Sequence, residues 1–397
     1  MIPFESHLRH WTRSTLRTIA PRYSTAVDFA PDDLVWNLTL DQITSGTGAI
    51  TNRQQTTYAE AGSSSFIFDE NTVLYSKLRP YLNKVAWPKE RGVATTELVP
   101  LKPDPSIMLP GYLAHYLRSH IFLNHISSRV AGAKMPRVVM DEFWAHEVPH
   151  SRDLREQARI EELLDQADAL RRQRAEADAK LASLLPVLFR HHFGDPLRND
   201  RGWSTELLTK ICEPRQWPTI SQKDLTESGF TVYGANGPIG LYSDYNHEEP
   251  TVLITCRGAT CGTINVSPPK CYVTGNAMAL DNPDPERTTN EFLEIYLQTR
   301  GLSDTITGAA QPQITRANLA VVNVFTPPMP LVERFSAQVR DTKQVQAHAA
   351  ASAVKLETLF QTLLHRAFTG ELTARWREAH LREGVQEMSR ITKNAHA

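Results

Sequence analysis

Lys77, Arg79, Tyr81 and Lys84 place three cations and one aromatic ring at the end of the apolar run Thr72-Val73-Leu74-Tyr75. Cations along one edge of a globule suit phosphate oxygens; a solvated strand end has the same composition. Two polar turns follow a related plan. Gly132-x-Lys134-x-Pro136-Arg137 lies in the first half of the chain and Gly308-x-x-Gln311-Pro312-Gln313 in the second. If both turns face a nucleic acid, Arg137 with Lys134 favours guanine, whereas Gln311 with Gln313 favours adenine. The stretch Tyr233 to Asn246 offers Asn236, Tyr242, Tyr245 and Asn246 as donors to base edges or phosphates. Gly234 and Gly237 would let the backbone come close there, or simply form a glycine hairpin. Arg257 stands just before Gly258, the counterpart of Arg79.

Signatures of catalysis are missing. The chain has no Asn-Pro-Pro-aromatic or Asp-Pro-Pro-aromatic run, no Gly-x4-Gly-Lys-Ser/Thr phosphate loop and no convincing nuclease carboxylate cluster. No catalytic residue is assigned. Cys256-x4-Cys261-x9-Cys271 has non-standard spacing for zinc and no counterpart in the first half. These thiols read as buried, and the His191-His192 pair as solvated or packed, so no metal is expected.

The elements that must position these residues occur twice. Val73-Leu74-Tyr75-Ser76-Lys77-Leu78-Arg79 returns as Val252-Leu253-Ile254-Thr255-Cys256-Arg257-Gly258. Gly111 to Leu117 returns as Glu291 to Leu297, Gly132 to Val138 as Gly308 to Ile314, and Leu181 to Phe193 as Leu356 to Phe368. The order is kept, so the chain is an internal duplication of a globule plus a helix. Residues shared by both copies suit scaffold or backbone contact. Base readout belongs where the copies diverge, at Tyr58 to Ser65 and Tyr233 to Asn246.

A helix is predicted from about Asp153 to Phe193, capped by Ser151 or Asp153 and stopped by Gly194 and Pro196. Its heptad seam runs through Ile160, Leu163, Ala167, Leu170, Arg174, Ala177, Leu181, Leu184 and Leu188, with Pro186 expected to kink or weaken the last turns. The matching seam is Phe335, Gln338, Thr342, Val345, Ala349, Ser352, Leu356, Leu359 and Leu363. Strands are expected at Ser65 to Phe68, Thr72 to Tyr75 and Thr251 to Ile254, and short helices at Pro110 to Ser128 and Asn290 to Arg300. The fold class is α/β (mixed α+β): two globules separated by two long antiparallel coiled-coil helices. The expected segments are a first globule at 1–150, a first spacer helix at 151–196, a second globule at 197–330, and a second spacer helix with a C-terminal tail at 331–397.

Composition excludes some classes. The 397 residues are 41% hydrophobic and 22% charged with a net charge of −1, which argues against a lone non-specific nucleic-acid binder. No apolar run approaches the ~20 residues of a membrane span. The opening Met1 to Tyr23 lacks a secretory apolar core. All four cysteines lie in the second half, which suggests reduced thiols and a cytoplasmic setting.

Several pieces together resemble the specificity subunit of type I restriction-modification enzymes, the HsdS family. They are Tyr233-Gly234-Ala235-Asn236-Gly237-Pro238-Ile239-Gly240, Arg257-Gly258-Ala259-Thr260-Cys261-Gly262, Gly308 to Ile314, Phe368-Thr369-Gly370-Glu371-Leu372 and Leu74 to Tyr81. The Glu156-Gln157-x-x-Ile160 motif is kept in the first copy and degenerate at Glu333-Arg334-Phe335. The resemblance implies two target recognition domains, each reading one half of a split asymmetric double-stranded DNA site. It implies long helices that set the gap and dock two methyltransferase subunits. S-adenosylmethionine is then expected in those partners and no cofactor in this chain. A motor-endonuclease subunit joins for cleavage.

Overall fold

The computed structural model describes residues 11–23, 29–62, 65–132, 134–308 and 311–380. Residues 1–10, Ser63, Ser64, Ala133, Ala309, Ala310 and the tail from Leu381 lie outside the described residues, although they fall in stretches singled out above. The chain divides into two compact units, 1–174 with 353–397, and 175–352. Each unit is a globule plus one half of each long helix.

The first unit is built around the strand Val73–Ser76. It pairs antiparallel with Val85–Ala86 and with Leu98–Leu101. Alternation along a strand sends neighbouring side chains to opposite faces. Val73 and Tyr75 therefore pack with Tyr112, Leu113, Phe122 and Phe143, while Leu74 packs with Trp36, Phe68 and Leu98. A second sheet orders Gln55–Thr57, Leu34–Leu38, Gly92–Thr95 and Ser65–Phe68. The predicted helix over 110–128 is broken into Pro110–Arg118 and His120–Ser127. Ser119 is extended there, and its hydroxyl accepts the Phe122 N–H and caps the second piece.

The second unit repeats this plan. Val252–Thr255 pairs antiparallel with Ile264–Val266 and Ala277–Asp281. Its Val252 and Ile254 pack toward Phe292, Leu293 and Tyr296 of the helix Asn290–Arg300, and Leu253 packs toward Cys271 and Val273. The strand Phe230–Tyr233 forms a hairpin with Pro238–Tyr242 and runs parallel to Cys271–Val273.

The long helices span Leu154–Phe193 and Met329–Phe368. At 1.5 Å per residue each is about 60 Å long. Asp153 caps the first, its carboxylate accepting the Arg155 N–H at 2.9 Å. The helix continues through Pro186. In the first unit Ile160 and Leu164 meet Phe360, Leu364, Ala367 and Phe368 in one core. In the second unit Leu185, Phe189 and Phe193 meet Val332, Phe335 and Val339. Arg171 bonds Glu357 in the first unit, and Gln346 bonds the Leu181 carbonyl in the second, so the paired segments run antiparallel within each unit.

The packed face departs from the predicted seam. Ile160 is fully buried, and Leu163, Leu181, Leu188, Leu356 and Leu363 are half-buried. Leu170, Leu184, Val345 and Leu359 are instead exposed, three of them by more than half. The buried residues Ile160, Leu164 and Asp168, and then Leu185, Phe189 and Phe193, repeat every four positions. A fourfold row drifts around the helix from a heptad seam. The large aromatics Phe189 and Phe360 anchor it, because each belongs to a globule's core.

Candidate nucleic-acid interface

Both units build the same junction at the end of the central strand. In the first, the Val138 N–H donates to the Lys77 carbonyl at 2.9 Å and the Arg79 N–H to the Pro136 carbonyl at 2.7 Å. In the second, the Ile314 N–H donates to the Cys256 carbonyl at 2.9 Å and the Gly258 N–H to the Pro312 carbonyl at 3.2 Å. The polar turns are thus clamped to the strand ends by backbone bonds that any side chain permits. The side chains they present can differ. Arg79 and Arg137 in one unit occupy the places of Gly258 and Gln313 in the other.

Arg79 has φ of 49°, a left-handed conformation. Gly258 has φ of 89° and adopts this region without the Cβ clash. The first unit thus holds an exposed arginine where the backbone favours glycine, and such strain gathers at working sites. Lys134 is exposed on the adjoining turn, and Lys77 is half-buried. Arg137 is exposed and ion-paired with Glu97 at 3.1 Å, a contact that water weakens. Tyr81 is 56% exposed. Lys84 departs from the expected cluster: its ammonium donates to the Leu40 carbonyl at 2.6 Å. That bond ties the Leu40 turn to the strand end and turns the charge inward.

In the second unit Arg257, Gln311 and Gln313 are exposed and adjoin at the junction, where Arg257 and Gln313 form a backbone bridge. The hairpin turn 234–237 leans on the same place. Asn236 donates from Nδ2 to Thr260 Oγ1 at 2.7 Å, so its amide is engaged within the protein. Tyr242 and Tyr245 are not brought to this group. Tyr242 pairs with Phe230 at the far end of the hairpin, three residues and roughly 10 Å along the strand from Tyr233. The Tyr245 ring contacts Phe230 at 4.7 Å. A hydrogen bond to the Glu248 carboxylate holds the Tyr245 phenol above its usual pKa.

Sequence reasoning overlooked Thr255, Thr260 and Asn265, which bind the hairpin turn to its support. The available signal was a hydroxyl at the same repeat position in both copies, Ser76 and Thr255. The cysteines are free, and burial pushes Cys256 up to about 11 and Cys212 up to about 12. Among the described residues no group of His, Cys, Asp and Glu is placed to hold a metal ion, and no helix is long and apolar enough to cross a membrane.

Residues 200–351 match the family model described as the type I restriction modification DNA specificity domain. No curated protein matches the chain. Among solved structures, a chain from work on complex assembly and conformational transition of the type I R-M system is 20% identical. The alignment covers 92% of this chain and 99% of that one at a TM-score of 0.58. The type I restriction-modification S subunit from M. genitalium aligns over 93% of this chain and 99% of its own, at 16% identity and a TM-score of 0.57. The HsdS subunit from Thermoanaerobacter tengcongensis aligns over 92% and 98% at 20% identity, with a looser TM-score of 0.41. At these identities the first two of these structures speak for the fold alone, and the family model speaks for the second unit.

Proposed function

We propose that the chain is a specificity subunit of the type I restriction-modification (HsdS) kind, and that each unit reads one half of a split, asymmetric DNA target. The observation that carries this reading is the duplicated junction with unlike side chains. The same backbone bonds hold Lys134, Arg137 and Arg79 in one unit and Gln311, Gln313 and Arg257 in the other. Equal scaffolds with unequal side chains give two related modes of approach and two different base preferences. A chain reading the same half twice would need no such difference.

The chain chooses the site and leaves the chemistry to partners. Two methyltransferase subunits bring S-adenosylmethionine, and motor-endonuclease subunits join for cleavage. The exposed apolar residues of the long helices, Leu170, Leu184, Val187, Val345, Val354 and Leu359, support docking of partner subunits there. The near-zero net charge supports a shared DNA grip, in which partners add phosphate contacts.

Replacing Gln311 and Gln313 together with Ala tests the assignment of the second unit. The methylated motif should become degenerate in one half and stay unchanged in the other. Unaltered methylation at every site would remove these two residues from base reading.

A further inference from the structure

Thr255 is the last residue of the second unit's central strand and is fully buried. Its hydroxyl donates to the Ala235 carbonyl at 2.6 Å and lies 3.2 Å from Asn236 Oδ1. From the other side Asn236 Nδ2 donates to Thr260 Oγ1, and Asn265 Nδ2 donates to the Ala235 carbonyl at 3.3 Å. These bonds tie the hairpin turn 234–237 to the loop 257–262 and to the neighbouring strand. Within the turn the Gly234 N–H donates to the Gly237 carbonyl at 2.8 Å. The turn is therefore closed on itself and fastened at its tip to the loop that carries Arg257.

The first unit has the same strand end without this fastening. Ser76 replaces Thr255, and its hydroxyl donates to the Leu78 carbonyl two residues on. The stretch Tyr233 to Gly240, which carries the fastened turn, has no counterpart in the sequence of the first copy. The fastening is thus a device of one unit, laid over a junction that both share.

We propose that Thr255 and Asn236 are positioning residues of the second unit's DNA-reading surface. They hold the hairpin turn and the Arg257 loop as one rigid piece, and Asn236 acts through Thr255 and Thr260 rather than on a base. Rigid support of this kind sets how well a reading side chain discriminates, because a loop free to shift finds compromise contacts with the wrong base. This inference rests on the reading of the second unit as a DNA-recognition unit.

The test uses the full chain assembled with its methyltransferase partner, with T255V, N236A, the double variant and T255S compared by sequencing of methylated sites. Valine keeps the buried volume of Thr255 and deletes the hydroxyl. T255V and N236A should each lower discrimination, by roughly tenfold, at the bases of one half-site. The other half-site should stay unchanged as an internal control for folding and assembly. The double variant should be no worse than either single variant, because the two residues form one connected unit. T255S should restore discrimination. Strict additivity, or N236A relaxing a single base while T255V relaxes none, would make Asn236 a direct reader and overturn the proposal. Equal loss at both half-sites, or full discrimination in T255V, would overturn it as well. A wild-type complex that methylates no split motif would instead defeat the underlying reading.

Discussion

Arg79 combines a left-handed backbone, an exposed guanidinium and a place where the sister copy carries glycine. A non-glycine residue in that region costs about 1 kcal/mol or more. Arg79→Gly should therefore leave the melting temperature unchanged or raise it, while weakening DNA binding. The slope of log affinity against log salt should fall by about one, as for loss of a single phosphate contact. An unchanged slope would place Arg79 outside the DNA contact.

The equivalence of Arg79 with Gly258 was legible in the repeat, because strand and turn recur in order. The fates of Lys84 and Asn236 were not. Each is settled by a partner far along the chain, Leu40 for one and Thr260 for the other. Titration also belongs to this scale. His146 Nε2 lies 2.7 Å from the Tyr116 hydroxyl, and burial, helped by nearby His125, Arg129 and Arg13, lowers its pKa from 6.5 to about 4. The folded state thus binds fewer protons than the unfolded chain in this window. The associated stability is present above about pH 6.5 and is lost as pH falls toward 4. The melting temperature should drop over that interval, less steeply in His146→Phe. Equal slopes would assign the acid sensitivity to His115, His125 and His150, whose pKa values burial also lowers.

The long helices show how much of an element a sequence reveals. The extent of the first was legible, because caps and stop residues act locally: Asp153 and Gly194 bracket it as expected. The packed face was not, because it is chosen by the globules. Phe189 packs tilted or edge-on among Phe292, Phe335 and Tyr296, and Phe368 edge-on against Tyr112 and Tyr116, and these contacts rotate the buried row away from Leu170, Leu184, Val345 and Leu359. The displaced residues are left on the surface. Val354→Glu combined with Leu359→Glu should break co-purification with the methyltransferase subunit while changing the chain's own stability by less than about 1 kcal/mol. Retained assembly would move the docking face elsewhere. The Glu156-Gln157 motif also acquires a physical meaning. Gln157 bonds the Leu109 N–H and the Ile107 and Ser151 carbonyls. The carboxylate of Glu156, 1% exposed, is met by Thr373 and Arg377 from beyond the second long helix. Removing one partner of a buried ion pair costs roughly 3–5 kcal/mol. Arg377→Met should destabilise the first unit by about that much in urea unfolding, and a loss under about 1 kcal/mol would show that the pair is dispensable.

At the scale of the molecule, duplication followed by divergence gives one chain two related surfaces with unlike side chains. The net charge of −1 leaves the chain as a whole little sequence-independent attraction for DNA. On the proposed reading, selectivity comes from the divergent positions and from assembly with partners. The repeat made the doubled fold legible, whereas the target bases depend on side-chain poses that spacing does not encode. The central claim is that this chain selects a split DNA sequence for its partners. The most direct measurement is genome-wide adenine methylation in a strain carrying the chain with its methyltransferase, against a strain lacking only the chain. The account predicts the loss of one motif made of two short, different halves around a fixed unspecified gap. An unchanged methylome, with assembly of the complex verified, would contradict it.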